Sequence, residues 1–304
     1  METQFSYKAV LEKSHRVNWR VDDLIGGEKR LDFTKPFLPE TYTRAQALPF
    51  LNERERLTLN HIRAHDYAAL FELVETFILP FVGAQAAKAS SDDDGYRNSA
   101  LANFAAEETK HMALFGAFRR ALADELGEVC GVIGPPEAIS EAILAHSPLS
   151  VAVLVLSFEW MSQGHYVESV KDDAGLDPVF KDMLKHHWVE EVQHAKLDGA
   201  LLATLANGLS AEGVDAAVTE YLEMVAFFDG GLKAQAGLDL QALERCIDRT
   251  LSEAERVQFV KRQHEALCWT FLGSSAGNRN FQAAIGALGE APRRRIEAAA
   301  AAYC

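Results

Sequence analysis

The chain has 304 residues and lacks the features that mark several common enzyme classes. It holds four cysteines, Cys130, Cys246, Cys268 and Cys304, with no Cys-x-x-Cys pair, which argues against a thiolate-bound iron–sulfur cluster. It carries no flavin or nicotinamide fingerprint. Strict alternation of apolar and polar residues is scarce, so strands are not expected. Basic residues number 30 against 44 acidic ones, a net charge of −14, which disfavours nucleic acid or an anionic membrane as the main partner. The most apolar run, Ser150 to Phe158, is far shorter than the roughly 20 residues of a membrane-spanning helix. The opening residues, Met1-Glu-Thr-Gln-Phe-Ser-Tyr-Lys8, hold no apolar signal-peptide core. With the cysteines read as free thiols of a reducing compartment, the expectation is a cytoplasmic protein with no nucleic-acid or membrane partner.

What is present is helical periodicity. Hydrophobic residues make up 48% of the chain, enough for a sizeable core. Up to about residue 50 the pattern is broken by Gly26-Gly27 and by Pro36, Pro39 and Pro49, and an N-terminal arm with short helical pieces is expected there. A long helix is predicted from an N-cap at Asn52 to about Ala87, with Pro80 as a site for a kink. A second follows the polar loop Ser90-Ser-Asp-Asp-Asp-Gly95 and runs to about Gly127. Glu141 to His146 reads as a short helix. A third long helix opens after Ser147-Pro148 and ends before Gly175. A fourth runs from about Asp177 to the stop signal Asn207-Gly208. Further helices are predicted near 211–231 and 239–249, from the capping box Ser252-Glu-Ala-Glu255 to about Leu272, and over the last segment. The chain is thus read as all-α and as one domain: an arm over 1–51, a four-helix core over 52–207 and a C-terminal helical layer over 208–304.

Chemistry concentrates in the second and fourth long helices. In His187-Trp-Val-Glu-Glu-Val-Gln-His194, steps of four and three bring His187, Glu191 and His194 to one helix face. Upstream, Glu108-Thr-Lys-His111 is a second Glu-x-x-His. The spacing alone is weak evidence, because Glu12-Lys-Ser-His15 in the polar arm matches it as well. Context adds the weight. Glu108 and His111 interrupt the apolar stripe Leu101, Phe104, Phe115, Phe118; His187, Glu191 and His194 interrupt the stripe Phe180, Leu184, Leu201. The preceding helices offer one carboxylate each. Glu75 lies beside Phe71 and Ile78 at the edge of the apolar arc and is preferred to Glu72, which lies nearer the polar side. Glu159 is the only acidic residue between Ala145 and Tyr166. Glu75 and Glu108 are 33 residues apart, Glu159 and Glu191 32 apart, as two consecutive antiparallel helix pairs would give.

Four glutamates facing one core would repel each other and cost several kcal/mol apiece in lost hydration. Two divalent cations would remove that charge. Carboxylates with imidazole suit iron or manganese rather than zinc. Asp198, one turn after His194, is a candidate outer partner for that histidine, or else a solvent-facing residue. His187 is read as a ligand, although His186-His187 also fits a surface pair with one member facing inward. His61, His65, His146, His165 and His264 fit no ligand spacing.

The set Glu75, Glu108, His111, Glu159, Glu191 and His194 follows the donor order of ferritin-like di-iron carboxylate bundles. With His187 added one turn before the last Glu-x-x-His, residues 55–205 resemble the p-aminobenzoate N-oxygenase (arylamine oxygenase) family. The resemblance implies a ferritin-like fold and two iron ions, with manganese an option at one or both positions. Glu75 and His111 would hold one metal, Glu159, His187 and His194 the other, and Glu108 and Glu191 would bridge. It implies an O2-dependent oxygenase of a small organic substrate, acting through a peroxo-diferric intermediate on an amine or another electron-rich group, with an external electron donor. Phe115 stands where the ribonucleotide reductase radical subunits carry a tyrosine, so a stable tyrosyl radical of that kind is not expected. The alternatives are an iron or manganese oxidase of ferritin type, or a metal-binding helical protein without an organic substrate. The C-terminal layer is read as a pocket cover or as a homodimer interface.

Overall fold

The computed structural model describes residues 5–88, 95–127 and 130–303. Most of the polar loop after Ser90, the first four residues and Cys304 lie outside the described residues. Twelve α-helices are present among those described: α1 (Tyr7–Ser14), α2 (Glu40–Thr43), α3 (Glu53–Ala86), α4 (Tyr96–Leu126), α5 (Pro136–Leu144), α6 (Pro148–Gly164), α7 (Pro178–Ala206), α8 (Ala211–Cys246), α9 (Glu253–Cys268), α10 (Ser274–Ala276), α11 (Arg279–Leu288) and α12 (Glu290–Ala300). Helices α6 and α9 continue into π-helical turns over His165–Val170 and Trp269–Gly273. Apart from one antiparallel bridge between Gly26 and Lys29, no β-pairing occurs among the described residues. The chain is all-α.

Local signals explain the long helices. Asn52 caps α3 by accepting from the Glu55 backbone N–H, and the Glu55 side chain accepts from Asn52 in return, so two otherwise orphaned donors are satisfied. Gly127 ends α4 at φ +63°, a left-handed conformation that a residue with a Cβ adopts only at a cost. Asp177 caps α7, with Pro178 in its first turn. Helix α5 begins before the predicted Glu141, because Pro136 already supplies a preset first-turn φ.

Helices α3, α4, α6 and α7 form the four-helix core. The start of α4 meets the end of α3, where the Arg97 guanidinium donates to the Gln85 carbonyl, so that pair is antiparallel. Between α6 and α7, Gln163 reaches the Trp188 carbonyl. Fully buried Phe77, Phe104, Phe115, Phe118 and Phe180 fill the interior, each contributing about 1.5–3 kcal/mol. By length and composition α3, rather than the apolar run 150–158, is apolar enough to cross a membrane, yet 67% of its most apolar window is buried in the bundle. The N-terminal arm is pinned to α3 by Asn60, which accepts from the Phe37 N–H and donates to the Leu38 carbonyl.

Sequence patterning breaks α8 into two helices, and the structure corrects this: Ala211–Cys246 is continuous. Its buried face runs without interruption through Tyr221, Val225, Phe228, Leu232, Gln235, Asp239 and Leu243. Packing thus outweighs the roughly 1 kcal/mol that each internal glycine costs. At Gly231 a Cβ would meet Ile133 Cδ1 at 3.2 Å, so the missing side chain admits a close neighbour.

A buried polar cluster joins this outer layer to the core. The Arg63 guanidinium lies 3.3 Å from Asp66 Oδ2 and 3.9 Å from Asp239 Oδ2, and donates to Gln263 Oε1 at 2.7 Å. Gln263 donates onward to the Thr43 carbonyl, so α2, α3, α8 and α9 share one network. Burial and the Asp239 charge push the Asp66 carboxyl well above its usual range, against the pull of Arg63. Removing the cation would leave both carboxylates buried without it. Arg63→Met is expected to lower stability by about 3–5 kcal/mol, measured by urea unfolding; a loss under 1 kcal/mol would show that the cluster does not hold the layers together.

Candidate metal centre

The seven residues singled out from the sequence are all buried. Glu75 comes from α3, Glu108 and His111 from α4, Glu159 from α6, and His187, Glu191 and His194 from α7. The structure gathers six of them into two overlapping groups. Glu75, His111, His187 and Glu191 form one; Glu108, His111, Glu191 and His194 form the other, and within each the donor atoms lie within 4.8 Å of one another. Glu159 stands outside both groups but against Glu191. Burial, followed by the Glu191 charge, pushes the Glu159 carboxyl well above its usual range. Glu72 points elsewhere and pairs with Arg119.

Interatomic geometry shows what these atoms face. His111 Nδ1 lies 3.1 Å from Glu191 Oε1 and 3.3 Å from Glu108 Oε2. His194 Nδ1 lies 2.9 Å from Glu108 Oε1 and 3.1 Å from Glu191 Oε2. His187 Nε2 is 2.7 Å from Glu191 Oε1 and 3.9 Å from Glu75 Oε1. Despite such short distances, His187 Nε2 and Glu108 Oε1 have no partner in hydrogen-bond geometry, and neither do Glu75 Oε2 and Glu159 Oε2. A buried orphan atom of this kind is costly. Four in one place, all oxygen or imidazole nitrogen, fit donors arranged around cations, and the four inner glutamates match the charge of two divalent ions. The grouping differs in one respect from that implied by the family resemblance: His187 stands with Glu75 and His111, not with Glu159 and His194.

Sequence reasoning missed the outer carboxylates. His111 Nε2–H donates to Glu190 Oε2 at 2.9 Å, and His194 Nε2–H donates to Glu107 Oε2 at 2.9 Å. The pattern is reciprocal: each motif's leading glutamate orients the histidine of the opposite helix. Both imidazoles are thereby fixed with Nε2–H outward and Nδ1 toward the centre, the orienting role that outer carboxylates have at metal sites. The signal was available in the doubled spelling Glu107-Glu108-x-x-His111 and Glu190-Glu191-x-x-His194. Asp198 does not orient His194, because that ring points across to α4 rather than along its own helix. Nor does it face solvent: it is buried, with both carboxyl oxygens lacking hydrogen-bond partners.

The arm closes the site. Trp19, itself buried, stacks on His111 with ring centroids 6.2 Å apart, and Lys110 sits 4.0 Å over the Trp19 ring while pairing with Glu190. On the far side Phe71 and Phe115 contact the His187 ring at 5.1 and 4.9 Å. Tyr166, beyond Glu159 in the turn after α6, stacks on Trp188. A pocket of about 310 Å³ reaches Glu107 and Lys110 from the surface, beside His15 and Asn103.

Fold and site together define the class: a four-helix bundle holding a buried two-metal donor set of carboxylates and histidines. No family model matches the sequence, and no match is found among curated protein sequences. Among solved structures the chain is similar to R2-like ligand-binding oxidases. A variant with a non-activated Mn/Mn cofactor shares 14% identity, with 88% of this chain and 93% of that one covered and a TM-score of 0.47. A variant reconstituted with Fe/Fe shares 16%, with 87% and 92% covered and a TM-score of 0.46.

Two predictions follow from the centre's geometry. Glu107→Gln and Glu190→Gln leave every inner donor in place but weaken the outward hydrogen bonds; each is expected to lower metal affinity about 10- to 100-fold, read by competition with a chelator, and unchanged affinity would remove these residues from the site. The second concerns pH. Burial alone would lower the His111 and His194 imidazoles, but the surrounding carboxylates prevail and hold both well above their usual value. In chelator-treated protein their contribution to stability is complete below the unfolded pKa of about 6.5 and is lost as pH rises through the raised folded values. Because a metal ion must displace the Nδ1 protons, its affinity should rise over the same interval. Parallel melting and metal titrations from pH 6 to 9 check both signs; melting of the stripped protein that stays flat, or affinity that falls with pH, contradicts them.

Proposed function

We propose that the protein is an O2-dependent di-iron oxygenase of a small organic substrate, with N-oxygenation of an amine as the reaction. What carries the reading is the set of seven residues with three inward-facing histidines, the pattern through which the sequence resembles the arylamine oxygenases; the reciprocal outer carboxylates support it as a metal centre. Two ferrous ions held there would supply electrons and Lewis acidity for O2 chemistry, and manganese at one or both positions suits the same donors. Glu75, His111, His187, Glu191, Glu108 and His194 would hold the pair, with Glu159, beside Glu191, as a further ligand.

The chain's own residues do the rest. Glu107 and Glu190 hold the histidine tautomers. Phe71, Phe115 and Trp19 keep the centre dry, which strengthens electrostatic interactions inside it. The pocket beside Glu107 and Lys110 offers a small molecule a route toward the donors. Reducing one O2 to a hydroxylamine oxygen and water takes four electrons; the amine would give two and the two ferrous ions the other two, so an external electron donor that restores the ferrous pair belongs to the proposal, as do a cytoplasmic location and a homodimer built through the C-terminal layer. A second reading, metal oxidation without an organic substrate, draws support from Asp198: a buried, unpartnered carboxyl near His194 extends the donor set beyond what two ions need.

The test is to load purified protein anaerobically with Fe(II), count iron, then add O2 with and without an arylamine. Two irons per chain and a hydroxylamine or nitroso product are expected. Glu108→Gln and His194→Ala should lose at least one iron and the product. Iron turnover with no organic product would favour the second reading, and iron content unchanged in both variants would overturn the centre.

A further inference from the structure

Outside the bundle core, a second cluster of metal-binding groups lies between α8 and α9. His264 and Cys268 stand four residues apart on α9 and so share a face. Asp229 of α8 faces them. His264 Nε2 lies 2.7 Å from Asp229 Oδ1, and Cys268 Sγ lies 3.1 Å from the same oxygen. The three donor atoms lie within 4.8 Å of one another. An imidazole, a thiol and a carboxylate converging on one point is a different donor set from the bundle's: it contains sulfur and only one carboxylate.

We propose that Asp229, His264 and Cys268 form a separate site for a zinc-class divalent ion. Thiolate and imidazole favour zinc, which takes four ligands, three from protein and one open in sites that bind small molecules. The open side here is a cavity of about 460 Å³ lined also by Arg44, Glu265 and Tyr303, so water completes the shell. Asp229 and His264 side chains are 36% and 25% exposed, which lets an ion enter from solvent without unfolding. Charge balances, since a divalent ion meets one thiolate and one carboxylate. On binding, the Cys268 S–H bond breaks, a sulfur–metal bond forms and the proton passes to solvent; nothing is oxidised or reduced. Arg44, held over the Trp269 ring at 5.6 Å, adds positive charge to the lining of the same cavity. The simpler role for these residues, an ion pair and a thiol hydrogen bond that join two helices, predicts no metal uptake.

Cobalt(II) distinguishes the two, because only a thiolate ligand gives a sulfur-to-cobalt charge-transfer band in the near ultraviolet and the bundle centre has no sulfur. Full-length protein stripped with a chelator and titrated with Co(II) to beyond the three ions that both centres could hold should develop that band with the intensity of one thiolate site per chain, and zinc should displace it. The band should vanish in Cys268→Ser, weaken in His264→Ala, and persist in a His111→Ala/His194→Ala variant. Asp229→Asn, which preserves volume, should lower cobalt affinity about tenfold or more. Circular dichroism of Cys268→Ser checks that it folds. Absence of the band in the parent protein, or its survival in Cys268→Ser, overturns the proposal.

Discussion

Seven carboxyl groups, Glu75, Glu107, Glu108, Glu159, Glu190, Glu191 and Asp198, are buried around three histidines in one stretch of helical core, and the rest of the structure answers to that concentration of charge. An isolated carboxylate in such surroundings would take up a proton rather than stay ionised. Here the groups divide. Glu159 and Asp198 are pushed upward, chiefly by burial. Glu108 and Glu191 stay below their usual range in spite of burial, because the histidine charges beside them outweigh it. Without metal, the raised His111 and His194 imidazoles are the groups that offset the lowered glutamates. Two divalent ions would offset the four inner glutamates, of which Glu75, Glu108 and Glu191 already lie together with the histidine nitrogens.

The reciprocal contacts between α4 and α7 make this arrangement unusually well determined. Each helix contributes both the inner donor and the carboxylate that orients the other helix's histidine. A slide of one helix along the other would break both outer hydrogen bonds together, so register and site geometry are set by the same atoms. The arm adds a further constraint. Trp19 covers His111 and is held in turn by Lys110, whose charge also reaches Glu190. A segment that reads as irregular polar chain is thus part of the wall of the centre.

Beyond the core, polar chemistry also organises the outer layer. Arg63 draws α3, α8, α9 and α2 together through buried carboxylates and Gln263. His165, at the start of the π-helical turn after α6, shares a hydrogen bond with Tyr67 at 2.8 Å and reaches the Thr270 carbonyl in the other π-helical turn at 3.0 Å. Burial lowers its pKa to about 3, so it is a neutral connector and carries no charge toward the metal centre. Histidines with no ligand spacing in the sequence therefore have distinct structural duties. One of them, His264, stands in a donor cluster that no local pattern announces.

Helix positions were largely legible because their causes are local. Asn52, Gly127, Asp177 and Ser252 act on the nearest turn, and apolar stripes at helical spacing identify the buried faces. The convergence of the inner carboxylates and histidines was legible for the same reason: Glu108 with His111, and Glu191 with His187 and His194, lie within one or two turns of each other. The continuity of α8 was not, because its glycines weaken it locally and only packing along its whole buried face restores it. The outer pairing of Glu107 with His194 and Glu190 with His111, the position of His187 beside Glu75, the cover of Trp19 and the convergence of Asp229 on His264 and Cys268 were decided by tertiary structure. Each depends on how two separate segments are rotated and registered, and that follows from summed packing over the whole core. By itself the sequence determined which helices form and which residue types each turns inward; how those side chains meet across helices was decided only by the fold, because contact between distant segments has no local cause.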